Sequence, residues 1–110
     1  CLLLPYRMDM KHTVMDIHTT SPLKLFEYMA AGRPIVATNI PTVAKVLENG
    51  KSAFLVPPGD IKAFCDAIAK CLDQPEAAAG LSTKAAQTVE RLSWSNRCQQ
   101  ILTHAMAEQA

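Results

Sequence analysis

An α/β fold, a parallel sheet with helices on its faces, is what this sequence predicts, and three observations carry the prediction. Short apolar runs at Cys1–Leu4, Ile35–Ala37 and Ala53–Val56 do not alternate apolar with polar residues, which suits strands covered on both sides. Helical patterns separate them, so the order is strand, helix, strand, helix, strand and then further helices. Connections of that kind join parallel strands by right-handed crossovers. The 110 residues, 49% hydrophobic and 19% charged, are enough for one core and too few for two.

The first strand is the opening run itself. The segment Pro5 to Thr20 then follows at a strand's carboxyl end, where sheets of this class bind ligands. Its 16 residues lack periodicity and are long for a connection in a compact domain, so this loop is either functional or mobile. Arg7 stands just past the first strand, where a phosphate or another ligand group could meet it. Asp9, His12, Asp16 and His18 are metal-ligating types, but no helix or turn pattern gathers them on one side, and a polar or solvated loop is the preferred reading.

A helix begins at Ser21, with Pro22 at its first position, and runs to Ala31: serine caps the free N–H groups and proline loses no needed one. Tyr28 is read as packing against a neighbouring helix. After the second strand a shorter helix covers about Val43 to Glu48, and Gly50 breaks the chain before the third strand. The turn Pro57-Pro58-Gly59 leads to Asp60, an N-cap for a helix with Ile61, Phe64, Cys65, Ile68, Ala69 and Leu72 on its apolar face. Lys62, Asp66, Lys70 and Asp73 turn to water. Pro75 ends that helix. Ala78, Leu81, Ala85, Val89 and Leu92 mark the next, and Trp94, Cys98, Ile101, Leu102, Ala105 and Met106 line one side of the last. In that phase Trp94 reads as core or domain packing rather than an exposed stacking surface, and His104 as solvent-facing.

Composition narrows the function. Eleven basic and ten acidic residues are scattered for a net charge of +1, so no basic patch offers itself to nucleic acid. No run approaches the roughly 20 apolar residues that span a bilayer, and none reads as a signal peptide, so a soluble chain is expected. Four cysteines, at positions 1, 65, 71 and 98, form no C-x-x-C pair and no cluster with histidine. They read as reduced, buried thiols rather than zinc ligands.

The stretch Thr19 to Asn39, "TTSPLKLFEYMAAGRPIVATN", carries the sharpest chemical signal. Lys24 sits in the first helical turn, where the positive end of the helix dipole disfavours it by about 0.3 to 1 kcal/mol at an exposed site. An anion held there reverses the argument, because backbone N–H groups, dipole and ammonium then attract the same phosphate. Glu27, one turn deeper, is placed to accept two hydrogen bonds from a vicinal diol such as a ribose. A diphosphate at the helix start with a ribose one turn along is the shape of a nucleoside diphosphate. A solvated Lys-Glu pair on an ordinary helix fits the spacing too.

The longer run "SPLKLFEYMAAGRPIVATNIPTVAKVLENGKSAFLVPPGD" resembles the C-terminal nucleotide-sugar-binding domain of the glycosyl transferases group 1 family, retaining enzymes of GT-B fold. The likeness extends from Leu4-Pro5 to the closing Trp94-Ser95 helix. It implies a Rossmann-like parallel sheet with flanking helices, with residues 1–110 forming the second half of the C-terminal, donor-binding domain and the N-terminal acceptor domain lying outside them. Carried over by position, Glu27 matches the family glutamate that binds the ribose, and Ser21, Leu23 and Lys24 lie at the helix start whose amides hold the diphosphate. The family often has a second acid eight residues earlier, where this chain has Thr19. That leaves the sugar contact unassigned, with Thr19 and Thr20 able to hydrogen-bond sugar hydroxyls or phosphate.

The resemblance implies transfer of a sugar from a UDP- or GDP-linked donor to a saccharide or lipid-linked acceptor, with retention of configuration and without cofactor or metal. It implies a cytoplasmic protein, either free or peripheral to the inner face of the membrane. The 110 residues alone are expected to be inactive, with catalytic residues unassigned, and to self-associate through the apolar edge at Cys1–Leu4, which the full sheet would cover. A non-catalytic nucleotide-binding or structural module, and a sugar-nucleotide epimerase of the same fold, are the alternatives.

Overall fold

The structure, a computed structural model, describes residues 1–6 and 23–108. Its elements in chain order are β1 (Leu2–Leu4), α1 (Leu23–Ala30), β2 (Ile35–Thr38), α2 (Pro41–Ala44), β3 (Phe54–Val56), α3 (Ile61–Asp73), α4 (Pro75–Glu90) and α5 (Trp94–Glu108). The three strands form one parallel sheet in the order β1-β2-β3. Register aligns Leu2 with Ile35 and Leu4 with Ala37 on one side, and Val36 with Phe54 and Thr38 with Val56 on the other. The expected α/β sheet with flanking helices is what the chain adopts.

All four residues of β2 are buried. Successive side chains of a strand leave by opposite faces, so β2 feeds two cores. Ile35 and Ala37 pack with Leu25 and Met29 of α1, together with Val43, Leu47 and Ala85, whereas Val36 packs with Val56, Ala67, Cys71 and Ala78. Helix α4 touches both layers, giving Ala85 to the first and Ala78 to the second. A strand buried on both faces has no reason to alternate in sequence, which is why the apolar runs were readable as strands.

Several expectations are corrected. The second helix covers Pro41–Ala44 rather than 43–48, because Pro41 supplies a preset φ at its first position. Pro75 does not merely stop α3: it opens α4, and Gln74 serves as the C-cap of one helix and the N-cap of the next. The buried face of α3 is also turned from the one read in the sequence. Ala67 and Cys71 are buried and Ala63, Phe64 and Ile68 are half-buried, whereas Ile61, Cys65, Ala69 and Leu72 are exposed. Small side chains let this helix approach the sheet closely, so the face centres on Ala67 and not on the bulkier residues beside it.

The cysteines divide differently from expectation. All four are free, but Cys1, Cys65 and Cys98 are exposed and Cys71 alone is buried. Burial pushes the Cys71 thiol above its ordinary pKa, which keeps it protonated and unreactive. Helix α5 buries no residue at all, so its apolar side is not core here. Trp94 is 84% exposed, and Ile101, Leu102 and Met106 are exposed with it. Their stripe is helical in period but has no partner among the described residues, and the radius of gyration, 15.9 Å, exceeds the roughly 13 Å of a compact domain of this size.

Candidate functional site

The carboxyl ends of the strands are built first from backbone. The Asn39 N–H donates to the Val56 carbonyl at 2.7 Å, and the Ile40 N–H to the Thr38 carbonyl at 2.9 Å. The Thr38 hydroxyl donates to the Leu4 carbonyl at 3.4 Å, tying the ends of β1 and β2 together. Past β3, Gly59 turns the chain with φ of 79°, a left-handed value that a side chain disfavours. Asp60 then caps α3, its carboxylate accepting from the Ala63 N–H at 2.9 Å. A small hollow of about 220 Å³ opens here between Tyr6, Thr38, Pro57, Asp60 and Phe64. Burial, with the Tyr28 phenol beside it, holds the Tyr6 phenol above its ordinary pKa.

Helix α1 lies along the first core by Leu25 and Met29, both fully buried, with Phe26 and Tyr28 half-buried against it. Tyr28 thus packs on the first core, with Tyr6 at the end of β1 beside it. It leaves Leu23, Lys24 and Glu27 exposed in the first turns of the helix, free to meet a ligand. The helix ends at a Gly32 with φ of 67°, whose left-handed conformation turns the chain into β2. Thus Lys24 and Glu27 sit on a helix fixed by its opposite face. Thr19, Thr20 and Ser21, with Arg7, Asp9, His12, Asp16 and His18, lie outside the described residues.

A larger pocket of about 670 Å³ opens between α1 and the junction of α4 with α5. Leu23, Phe26, Glu27 and Val46 line it, with Arg91, Trp94, Arg97 and Gln100 as the wall from the α4–α5 junction. That wall is held by short-range bonds. The Ser93 hydroxyl accepts from the Asn96 N–H at 3.2 Å, and the Asn96 amide donates to the Arg91 carbonyl at 3.2 Å. The sequence reading overlooked Arg91 and Arg97 and gave Trp94 to core or domain packing, of which the core part does not hold here. The signal available was the run "RLSWSNR" itself, two arginines flanking an aromatic across a helix start.

Among the described residues no group of three His, Cys, Asp or Glu side chains is placed to hold a metal ion. His104 is exposed, as read, and pairs with Glu108 at 3.2 Å when protonated. Among the same residues no helix is long and apolar enough to cross a membrane. What the geometry offers is a parallel sheet, an anchored helix presenting a cation and a carboxylate one turn apart, and a mixed-polarity pocket beside that carboxylate.

These features define an α/β protein whose parallel sheet carries an anchored helix with an exposed cation and carboxylate. The family model for glycosyl transferases group 1 matches residues 2–74, and the chain belongs to that family. Among curated proteins it is 36% identical over 78 residues to a phosphatidyl-myo-inositol mannosyltransferase of Mycobacterium leprae, covering 71% of this chain and 21% of that one. It is 32% identical over 80 residues to a D-inositol 3-phosphate glycosyltransferase of Corynebacterium urealyticum, covering 73% and 19%. The chain therefore spans about a fifth of the length of these relatives. Among solved structures, Anabaena Alr3699/HepE in complex with UDP superposes with a TM-score of 0.71 at 23% identity, over 77% of this chain and 24% of that one.

Proposed function

We propose that this chain is the nucleotide-sugar-binding part of a glycosyltransferase that moves a sugar from a nucleoside diphosphate donor to a saccharide or lipid-linked acceptor, with retention of anomeric configuration. The observation that carries the reading is Glu27, exposed one turn beyond Lys24 on a helix anchored by Leu25 and Met29, within the segment that matches the family. Glu27 accepts the ribose hydroxyls. The helix start, with Ser21, Leu23 and Lys24, holds the diphosphate, and Thr19 and Thr20 serve the sugar or the adjacent phosphate. UDP and UDP-glucose, the ligands of the Anabaena structures, are the first nucleotide and the first donor to test.

In this reading residues 1–110 are part of the donor-binding domain, and the acceptor domain belongs to the remaining length that the relatives have. The 110 residues alone transfer no sugar, and the full protein works in the cytoplasm, free or at the inner face of the membrane.

An amide NMR titration of the chain with UDP, GDP and ADP tests the site. Shifts concentrated on Leu23 to Glu27 with one nucleotide support the reading and name the base. Shifts with all three that avoid α1 would refute it, as would a folded chain that ignores all three at concentrations near those of cellular nucleotides.

A further inference from the structure

β1 is held unequally along its length. At its amino end the Leu2 N–H donates to the Pro34 carbonyl at 2.7 Å. At its carboxyl end, where Leu4 stands in register with Ala37, a side chain supplies the closing bond: the Thr38 hydroxyl donates to the Leu4 carbonyl at 3.4 Å. On the opposite flank of β2 the same level is closed by backbone, the Asn39 N–H donating to the Val56 carbonyl at 2.7 Å. The carboxyl ends of parallel strands are where ligands bind in sheets of this class. The looser of the two closures at that level is therefore the one at β1.

Thr38 is an unexpected residue for this place. It is 3% exposed, and the other residues of β2, Ile35, Val36 and Ala37, are apolar. Valine, equally β-branched, would be buried there with no hydroxyl to satisfy. A hydroxyl bond of 3.4 Å is long against the roughly 2.7 to 2.8 Å that is usual, so it contributes little to the stability of the unliganded chain. Hydrogen bonds that serve a bound state are often long without the ligand and tighten with it. A bond made equally in both states affects stability alone, whereas one made better in the bound state contributes to affinity.

The Leu4 carbonyl leads from this bond to α1. It also accepts the Tyr6 N–H, at 3.1 Å. Leu4 shares a core with Leu25 and Met29 of α1, and Tyr6 and Tyr28 pack against that core beside each other. Tyr28 follows Glu27 in the helix. Drawing the Leu4 carbonyl toward Thr38 thus carries Tyr6 with it and shifts the support on which the Glu27 turn rests.

We propose that Thr38 is a positioning residue for the donor site: its hydroxyl draws in the carboxyl end of β1 when the nucleotide binds and, through Leu4, Tyr6 and Tyr28, sets the place of Glu27. Thr38 touches no substrate itself. The inference rests on the donor reading, because the place of Glu27 matters only if Glu27 meets the ribose.

The experiment compares the whole chain with Thr38→Val, which removes the hydroxyl, and Thr38→Ser, which keeps it. Each is titrated with UDP, by calorimetry and by amide NMR, and each is unfolded in urea without ligand. Thr38→Val is expected to weaken UDP binding by about 2- to 10-fold, the range for one neutral hydrogen bond, with an unfolding midpoint close to that of the parent. Thr38→Ser should recover most of the affinity. The Tyr6 amide, which shares the Leu4 carbonyl, should shift with UDP in the parent and the serine variant and stay in place in the valine variant. Equal affinity in the parent and Thr38→Val would overturn the role, as would a loss that serine does not recover or one that the unfolded fraction accounts for. Should the valine variant fail to fold, the parent decides: a Tyr6 amide that UDP leaves in place while α1 responds overturns the role. UDP shifts on α1 of equal strength in all three chains sink this inference and leave the donor reading standing. A parent whose α1 ignores UDP sinks the donor reading, and the role given to Thr38 falls with it.

Discussion

Glu27 is surrounded by side chains that explain its position without explaining its charge. Its neighbours Leu25 and Met29 hold the helix to the core, and nothing in that packing requires a carboxylate on the exposed side. Replacing it with alanine should therefore leave the fold intact and weaken nucleotide binding by about 10- to 100-fold, the range for hydrogen bonds to a charged group of about 1.5 to 3 kcal/mol. Calorimetric titration of Glu27→Ala with the preferred nucleotide checks this, and unchanged affinity removes the ribose assignment. Tyr6 gives a second residue-level expectation. Its pKa is raised in the folded chain by burial and by Tyr28, so the unfolded chain ionises first as pH rises. Stability should be unaffected by this group below about pH 10 and fall above it; Tyr6→Phe should blunt that fall in urea melts taken across the range. Spacing alone made Lys24 and Glu27 legible, since a charge against the dipole raises a question within one helical turn. Arg91 and Arg97 were not legible, because what brings them into one pocket lining with Glu27 is the path of α4 back to α1.

At the scale of elements, legibility followed burial. β2 was readable because both faces are covered and every residue is apolar or small, and α1 was readable because Leu25 and Met29 recur at helical spacing. The face of α3 was misread because hydrophobicity favoured Ile61 and Leu72, while the sheet accepts the small Ala67 and Cys71. Ile61 and Leu72 occupy the first and last turns of that helix, beyond the short strands it covers. Two substitutions separate these contributions. Met29→Ala removes a fully buried side chain from the core and should destabilise the chain by about 2 to 5 kcal/mol, whereas Leu72→Ala, on an exposed site, should change stability by about 0.5 kcal/mol or less. Asp60→Ala removes the cap on the Ala63 N–H and should cost about 1 kcal/mol without touching any core residue. Urea denaturation followed by circular dichroism ranks the three, and an equal loss for Met29 and Leu72 would contradict the placement of the α3 face.

Among the described residues the molecule carries two unpartnered apolar features, and they make different predictions. β1 is an edge of the three-stranded sheet, with Leu3 40% exposed, and a short parallel edge strand offers backbone groups to another chain. α5 offers side chains instead: Trp94, Ile101, Leu102 and Met106 along a helix that buries nothing. We expect the 110 residues to self-associate through the β1 edge or the apolar surface around it. Sedimentation at rising concentration tests the expectation, and a strictly monomeric chain at millimolar concentration would defeat it. Two variants then tell the surfaces apart. Leu3→Lys places a charge on the edge and should restore the monomer if strands pair, because a lysine cannot be buried between two sheets without a partner. Removal of residues 93–110 should restore it if helices pair. Since α5 contributes no buried residue, that shortened chain should melt within a few degrees of the parent, as an exposed helix adds little to a core it does not touch. A large loss of melting temperature on removing α5 would mean that the helix is covered in solution, by a second copy of the chain, and that its exposed stripe is the interface.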